Sequence, residues 1–266
     1  MLEQASQKQQ DDEEKQASHL TLKVANCALF LDLDGTLAPF AATPQAVVPT
    51  PRRTNLLLRL NEILNERLAV ISGRSIDEID RILERAIMTV AGVHGLQWRD
   101  RYGHVRETPG HSSLPQAVDL FASFTRAHQG VVLEVKPLSV ALHYRKNPEI
   151  GPLARQIAVH VADACGLHLQ EGSMVVELLT PGRDKGDAVK TFMAEAPFRG
   201  AIPVFIGDDL TDEKGFAAAI AMGGVGIIVG SRQNTLAHAR LSDVDAVIAW
   251  LEQSAENQTF HMELMR

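Results

Sequence analysis

The sequence is poor in cysteine. Its 266 residues include only Cys27 and Cys165, which lie far apart and outside any Cys-x-x-Cys or Cys/His cluster. This scarcity excludes a disulfide framework and argues against a structural zinc site. Because unpaired thiols are typical of reducing compartments, we expect a cytoplasmic protein.

The sequence also lacks an excess of positive charge and long hydrophobic runs. Lys and Arg number 26 against 33 Asp and Glu, a net charge of −7, so the broad positive field that favours nonspecific nucleic-acid binding is missing. No apolar run approaches the roughly 20 residues that cross a bilayer, and the first residues are polar and acidic, unlike a secretory signal. We therefore expect neither nucleic acid nor membrane among its partners.

The composition that remains is that of a soluble globular protein, with 45% hydrophobic and 22% charged residues. At about 150 residues per domain, the length permits one large domain or two small ones. Residues 1–19 carry almost no large apolar side chains, which predicts a disordered arm before a fold that begins near Leu20. The sequence leaves the oligomeric state open and is compatible with a monomer.

Short apolar runs alternate with helical patterns in both halves of the chain, as in a parallel sheet covered by helices on both faces. The predicted buried strands span residues 28–31, 68–71, 203–206 and 225–229. The predicted helices begin after N-caps at Thr50 and Ser75, span 185–195, begin again at 212, and end with two closing helices after 229.

The middle of the chain has a different pattern. Residues 131–136 and 139–145 alternate apolar and polar side chains around Pro137-Leu138, which predicts an antiparallel hairpin with one solvated face. A helix over about 149–165 and another alternating segment, 174–179, follow. We therefore predict an α/β protein with a Rossmann-like core of residues 20–105 and 182–255, an inserted α+β cap of residues 106–181, and a tail of residues 256–266.

Polar side chains follow the predicted core strands, and ligands of open α/β sheets bind beyond the carboxyl ends of the strands. Several carboxylates can share such a crevice only with a cation, and oxygen ligands without His or Cys favour Mg²⁺. A lysine and a hydroxyl would suit a phosphoryl group, and aspartate can form an aspartyl phosphate. The residues concerned are Asp32, Asp34, Ser72, Arg74, Lys185, Asp208, Asp209 and Asp212.

The segment Asp32-Leu33-Asp34-Gly35-Thr36 resembles the first motif of the haloacid dehalogenase-like (HAD) hydrolases. Ser72, Lys185 and the segment 207–212 resemble the second, third and fourth motifs, in the same order. Within that superfamily the chain is similar to the trehalose-6-phosphate phosphatase family over about residues 28–251. The stretches that carry this similarity are Val70–Arg74, His94-Gly95, Leu133–Lys136, His143–Arg145, Val176–Leu178, Gly182–Gly186 and Gly207–Glu213.

The resemblance implies a Mg²⁺-dependent hydrolysis of trehalose 6-phosphate, the last step of a two-enzyme trehalose synthesis. Asp32 would attack phosphorus, and Asp34 would act as general acid and base. Ser72 and Lys185 would bind the phosphoryl oxygens, while Mg²⁺ would be held by Asp32, the Asp34 carbonyl and Asp208, with Asp212 or Asp209 contributing through water. The residues implied at the substrate are Arg74, His94, Gly95, Glu134, Val135, Lys136 and Glu177.

Several of these residues have a second interpretation. Arg74 could contact phosphate or only pair with a nearby acid, and Glu213 fits a charge in the first turn of a helix. His94 and His143 could be structural histidines, since neither has a partner at metal-ligand spacing. Glu134 and Lys136 share one strand face. These two residues and Glu177 could bind sugar hydroxyls or be solvated residues of a half-exposed sheet.

Three other functions compete with this interpretation. One is a HAD phosphatase for another sugar phosphate, such as sucrose 6-phosphate. Another is a noncatalytic phospho-receiver or metabolite sensor, which would not need Asp34. The third is dinucleotide-dependent oxidoreduction, which would require a Gly-x-Gly-x-x-Gly motif after the first strand. That motif is missing there, and the glycines at 223–226 precede a strand, so they fit a helix-to-strand turn better than a dinucleotide loop.

Overall fold

A computed structural model describes residues 19–41 and 43–265. The arm predicted over residues 1–19 lies outside this part except for His19, which begins a strand. The strands are β1 His19–Lys23, β2 Cys27–Leu31, β3 Leu68–Ile71, β4 Val90–Gly92, β5 Gln97–Arg99, β6 Val105–Glu107, β7 Val132–Lys136, β8 Ser139–His143, β9 His168–Gly172, β10 Val175–Leu179, β11 Ile202–Gly207, β12 Val225–Val229, β13 Ala239–Leu241 and β14 Thr259–Glu263.

The helices follow most of the predicted starts. They are α1 Pro51–Ile63, α2 Ile76–Leu83, α3 Leu114–Ala127, α4 Gly151–Cys165, α5 Lys185–Met193, α6 Asp212–Ala221 and α7 Val244–Asn257. The capping box of Ser75 and Glu78 is present at α2, whereas Thr50 precedes α1 without a side-chain cap bond. Within the described ranges, no helix is long and apolar enough to cross a membrane.

The central sheet has the strand order β13-β12-β11-β2-β3-β4-β5-β6. Neighbouring strands from β13 to β4 run parallel, and β5 and β6 extend the edge antiparallel. Strand β2 is buried on both faces. Its Leu29 and Leu31 pack with α1, α2 and α7, while Ala28 and Phe30 pack with α5 and α6. The prediction of a parallel α/β sheet covered on both faces is confirmed.

The inserted unit is a four-stranded antiparallel sheet in the order β7-β8-β10-β9. One face packs against α3 and α4. The predicted hairpin is formed by β7 and β8, and β10 continues the register, so that Glu134, Ala141 and Glu177 lie opposite one another across three strands. The other face therefore carries a row of polar side chains beside the small Ala141.

The C-terminal part differs from the prediction. Only one helix, α7, closes the described chain after β12, and the segment predicted as a tail contains β14, which pairs antiparallel with β1. The two-residue period of Thr259–Glu263 buries Phe260 and Met262 in the core. A short strand whose partner lies more than 230 residues away gives no local signal of pairing.

Candidate active site

The site lies where the direction of strand succession reverses in the central sheet. From β2 the chain adds β3 and β4 toward one edge of the sheet, and from β11 it adds β12 and β13 toward the other edge. The two starting strands, β2 and β11, are neighbours in the middle of the sheet. Their pairing places Leu31 opposite Ile206, and the residues after both strands meet at the same edge. Such a switch point forms the ligand crevice of open α/β sheets.

A buried ammonium on α5 connects the end of β2 to the start of α6. Lys185 Nζ lies 2.8 Å from Asp32 Oδ1 and 2.7 Å from Asp212 Oδ1, and its side chain is only 3% exposed. The capping box of Asp184 and Asp187 begins the helix and fixes this lysine in its first turn. Burial disfavours the ammonium, but Asp212 and Asp32 outweigh it and raise the pKa of Lys185 above its usual range.

Three carboxylates surround that lysine. Ligand oxygens of Asp32, Asp208 and Asp212 all lie within 4.8 Å of one another. Burial raises the pKa of Asp32 well above its usual value, and Lys185 opposes that effect. Burial and the negative charge of Asp212 raise the pKa of Asp208 to about 7. One ammonium cannot compensate three carboxylates, so this cluster favours a further bound cation or proton.

The donor set fits a divalent metal ion. Asp208 Oδ1 is buried and has no hydrogen-bond partner among residues 19–41 and 43–265, which leaves an oxygen available for a cation. Asp212 Oδ2 accepts the backbone N–H groups of Asp208 and Asp209 at 3.0 and 2.9 Å, so it orients the loop that carries Asp208. Gly35 is required beside it, because its φ is +80° and a Cβ would overlap the Asp208 carboxylate.

Arg74 pairs with an acid, one of its two predicted roles. Its Nε and Nη2 donate to the two oxygens of Asp34 at 2.6 and 2.8 Å, and its Nη1 donates to the Pro44 carbonyl at 2.9 Å. The Asp34 carboxylate is therefore held by Arg74, outside the group formed by Asp32, Asp208 and Asp212. Ser72 is buried at the end of β3, where its Oγ accepts the Arg74 N–H at 3.2 Å.

The inserted sheet turns its polar face toward this edge. Lys136 Nζ donates to Glu177 Oε1 at 3.0 Å and to the carbonyl of Gly73 at 3.1 Å, which connects the two sheets. Glu177 also accepts from Ser139 Oγ at 2.5 Å and lies 3.3 Å from His94 Nε2. Burial opposes ionisation of Glu177, but Lys136, His94 and Ser139 hold its pKa well below the usual range.

A cavity of about 270 Å³ separates the two groups of side chains. Most residues that the sequence singled out line it. They are Asp32, Asp34, Ser72, Arg74, His94, Glu134, Lys136, Glu177, Lys185, Asp208 and Asp209. Asp212 lies directly behind this wall, bonded to Lys185.

Two predicted substrate residues do not reach the cavity. Val135 is 57% exposed and lies on the opposite strand face from Glu134 and Lys136, as the two-residue period of a strand requires. Gly95 packs against the backbone of Asp184, where a Cβ would overlap the carbonyl oxygen. His143 is on the cavity wall, with Nε2 2.7 Å from Glu134 Oε2.

Phe40 and Arg145 are among the lining residues that were not predicted as site residues. Phe40 lies in the loop after the first aspartates, and Arg145 follows β8, with its guanidinium 5.7 Å from the Phe40 ring centroid. Arg145 also donates to the carbonyl of Ala41 at 2.5 Å. Both residues lie in loops, where no periodic pattern indicates direction, although Arg145 belongs to one of the stretches that carry the family resemblance.

The switch-point carboxylates, the buried lysine and the inserted α+β unit define a metal-dependent phosphohydrolase of the HAD class. A family model described as trehalose-phosphatase matches residues 30–244. The trehalose-6-phosphate phosphatase of Escherichia coli is 38% identical over 231 residues, 86% of each chain. A probable trehalose-phosphate phosphatase of Sinorhizobium fredii is 35% identical over 220 residues, 80% of this chain and 81% of the relative.

A solved structure is also similar. The crystal structure of a trehalose-6-phosphate phosphatase related protein superposes with a TM-score of 0.71 at 26% identity, covering 86% of this chain and 97% of that one. The chain belongs to the trehalose-phosphatase family.

Proposed function

We propose that this protein hydrolyses trehalose 6-phosphate to trehalose and inorganic phosphate. One observation carries this conclusion. A single cavity has Asp32 and Lys185 on one wall and Glu134, Lys136 and Glu177 on the other. The first wall suits phosphoryl transfer, and the second offers the mixed donors and acceptors that sugar hydroxyls need.

In the first half-reaction, Asp32 attacks phosphorus and the bond from phosphorus to the sugar oxygen breaks. Asp34, protonated for this step, gives its proton to the departing sugar oxygen, which leaves an aspartyl phosphate on Asp32. In the second half-reaction, Asp34 takes a proton from water as that water attacks phosphorus and releases Asp32. The net reaction consumes one water. Asp34 and Asp32 line the same cavity, which supports this role, and the two hydrogen bonds from Arg74 must open before Asp34 can carry the proton.

Lys185 and Ser72 would bind the phosphoryl oxygens as that group is transferred. We propose Mg²⁺ as the divalent cation because every ligand is oxygen. Asp32, Asp208 and Asp212 would hold it, with the Asp34 carbonyl as a further ligand and Asp209 as the alternative to Asp212. When bound, the ion would neutralise charge on the phosphoryl group.

Residues 106–181 act as a cap over a core of residues 20–105 and 182–255 in this proposal. The contact of Lys136 with the Gly73 carbonyl and that of Glu177 with His94 support a cap that closes on the core. Closure would exclude bulk water from the phosphoenzyme. We further propose a cytoplasmic location, which the two buried free cysteines support.

Phosphate release from a panel of sugar phosphates tests the function. Trehalose 6-phosphate should be turned over much faster than sucrose 6-phosphate or glucose 6-phosphate with Mg²⁺ present. Comparable rates would leave a general sugar phosphatase and refute the trehalose assignment.

Two aspartate variants separate the enzyme from a phospho-receiver. Asp32→Asn should abolish turnover, and Asp34→Asn should lower it at least about a hundredfold, the usual contribution of a general acid or base. Asp100→Asn, at a turn outside the cavity, is the control and should retain activity. An Asp34→Asn protein with unchanged turnover and phosphoenzyme lifetime would favour the receiver.

A further inference from the structure

The loop that carries Asp208 is held from outside the cavity as well as from inside. This loop, residues 208–211, connects β11 to α6. Inside, Asp212 Oδ2 accepts the N–H groups of Asp208 and Asp209. Outside, Arg232 Nη2 donates to the carbonyl oxygen of Asp209 at 3.0 Å. Asp209, next to Asp208, is therefore held through its N–H group by Asp212 and through its carbonyl oxygen by Arg232.

Arg232 comes from the neighbouring strand end. It lies in the loop after β12, which pairs with β11 in the central sheet. Its Nη1 lies 2.7 Å from Glu213 Oε1 and donates to the Asn234 carbonyl at 3.0 Å. Arg240 Nη2 holds the Arg232 carbonyl at 2.7 Å, so the guanidinium projects from a backbone that is itself restrained.

Glu213 completes the connection between the two loops. It lies in the first turn of α6, and its Oε2 accepts the backbone N–H of Leu236 at 2.8 Å. The Arg232 and Glu213 side chains are only 23% and 19% exposed. A fully exposed ion pair contributes little because water and salt screen it, but this pair is largely desolvated and also bonds three backbone groups.

We propose that Arg232 and Glu213 are positioning residues that hold the acidic loop in the geometry needed to bind the divalent cation. Neither side chain lines the cavity, so they act through the Asp209 peptide and not on the substrate. This inference rests on the proposed function only in assuming that a divalent cation binds at Asp32, Asp208 and Asp212.

Calorimetric titration of the full chain with MgCl₂, without sugar phosphate, tests the inference. Arg232→Ala should weaken Mg²⁺ binding about tenfold, which corresponds to about 1.4 kcal/mol. Arg232→Lys should recover part of that loss, because an ammonium can still donate to the Asp209 carbonyl. Glu213→Gln should weaken binding by a smaller factor, since the amide retains an acceptor for the Leu236 N–H.

Arg52→Ala is the matched control. Arg52 also makes a two-bond pair with a glutamate, Glu252, between helices α1 and α7, but it lies on an exposed surface outside the cavity. Its removal should leave Mg²⁺ affinity unchanged. With saturating Mg²⁺, the KM of Arg232→Ala for trehalose 6-phosphate should stay within about twofold of the parent, which a general loss of structure would not allow.

The outcomes separate the two proposals. If the parent binds Mg²⁺ and Arg232→Ala binds it equally well, the positioning role is refuted while the proposed function stands. If Arg232→Ala raises the sugar-phosphate KM but not the Mg²⁺ dissociation constant, the role is also refuted. A parent chain that does not bind Mg²⁺ overturns the metal assignment and this inference with it. Should Arg232→Ala not fold, Arg232→Lys and Glu213→Gln decide the question.

Discussion

Replacing Glu177 by Gln tests whether the inserted sheet contributes a charged sugar-binding group. Glu177 is 6% exposed, and its carboxylate interacts with Lys136 Nζ, Ser139 Oγ and His94 Nε2 at 3.0, 2.5 and 3.3 Å. Gln keeps the size of the side chain but removes the negative charge. Its NH₂ group would also face hydrogen-bond donors, Lys136 Nζ and Ser139 Oγ, to which it cannot bond as an acceptor. Breaking a buried ion pair costs about 3–5 kcal/mol, so we expect a loss of about 3 kcal/mol in the free energy of unfolding at pH 7.

The pH dependence of that loss is specific to Glu177. Its pKa in the folded protein is far below the usual 4.5, because Lys136 and the other donors outweigh burial. A lowered pKa stabilises the folded state above pH 4.5, and this stabilisation is lost as the pH falls. The difference between parent and variant should therefore shrink by about 1.4 kcal/mol at pH 3.5. The other titratable groups near residue 177 are Lys136, His94 and Glu134, and they are the same in the parent and in Glu177→Gln.

Urea unfolding of both proteins at pH 7, 5 and 3.5 gives the stability difference. Steady-state kinetics should also show a KM for trehalose 6-phosphate at least about tenfold higher, with a much smaller effect on p-nitrophenyl phosphate, which has no sugar. Glu252→Gln, which removes an exposed carboxylate paired with Arg52, is the control and should change stability little. A stability difference that does not depend on pH, or equal effects on both substrates, would refute the reasoning.

Three other predictions concern buried groups. Lys185→Met leaves the aspartate cluster without its ammonium, so urea unfolding without divalent cation should show a loss of about 3–5 kcal/mol; an unchanged midpoint would contradict the ion-pair account. Gly35→Ala should weaken Mg²⁺ binding more than tenfold in calorimetry, because the added methyl group would overlap the Asp208 carboxylate. Gly200→Ala is the control, since Gly200 has a φ of +85° and open space around it, so its variant reports backbone strain alone. Equal effects of the two variants on Mg²⁺ affinity would exclude the steric explanation. Burial raises the pKa of Cys27 to about 11, so iodoacetamide at pH 8 should modify it about a hundredfold more slowly than an exposed thiol, and rapid modification of the folded chain would show that the thiol is accessible.

Much of the fold could be predicted because its strands are short apolar segments buried on both faces. The run at 28–31 became β2, and the capping box at Ser75 began α2. The failures lie where the pattern is weak or the partner is distant. Strand β14 was predicted as a tail, and two closing helices were predicted where the described chain has a loop, β13 and the single helix α7. Val135 was included among the substrate residues through the family resemblance, whereas the two-residue period of the strand turns its side chain to the opposite face.

The sequence by itself determined which residues meet at the switch point. Asp32, Ser72 and Asp208 each follow a buried strand, and the carboxyl ends of parallel strands must lie at one edge of the sheet. It also determined that the inserted unit is antiparallel, because its alternating pattern requires one polar face.

Only the tertiary structure decided what each of these groups touches. The Arg74 guanidinium pairs with Asp34, 40 residues away in sequence. Lys136 donates to the carbonyl of Gly73, 63 residues away. Arg232 fixes the acidic loop from a strand end that the sequence did not single out. Such contacts depend on sheet register, loop path and rotamer, and a few tenths of an ångström separate a charge-assisted hydrogen bond from a solvated charge. No local pattern encodes those quantities, because the packed core sets them collectively.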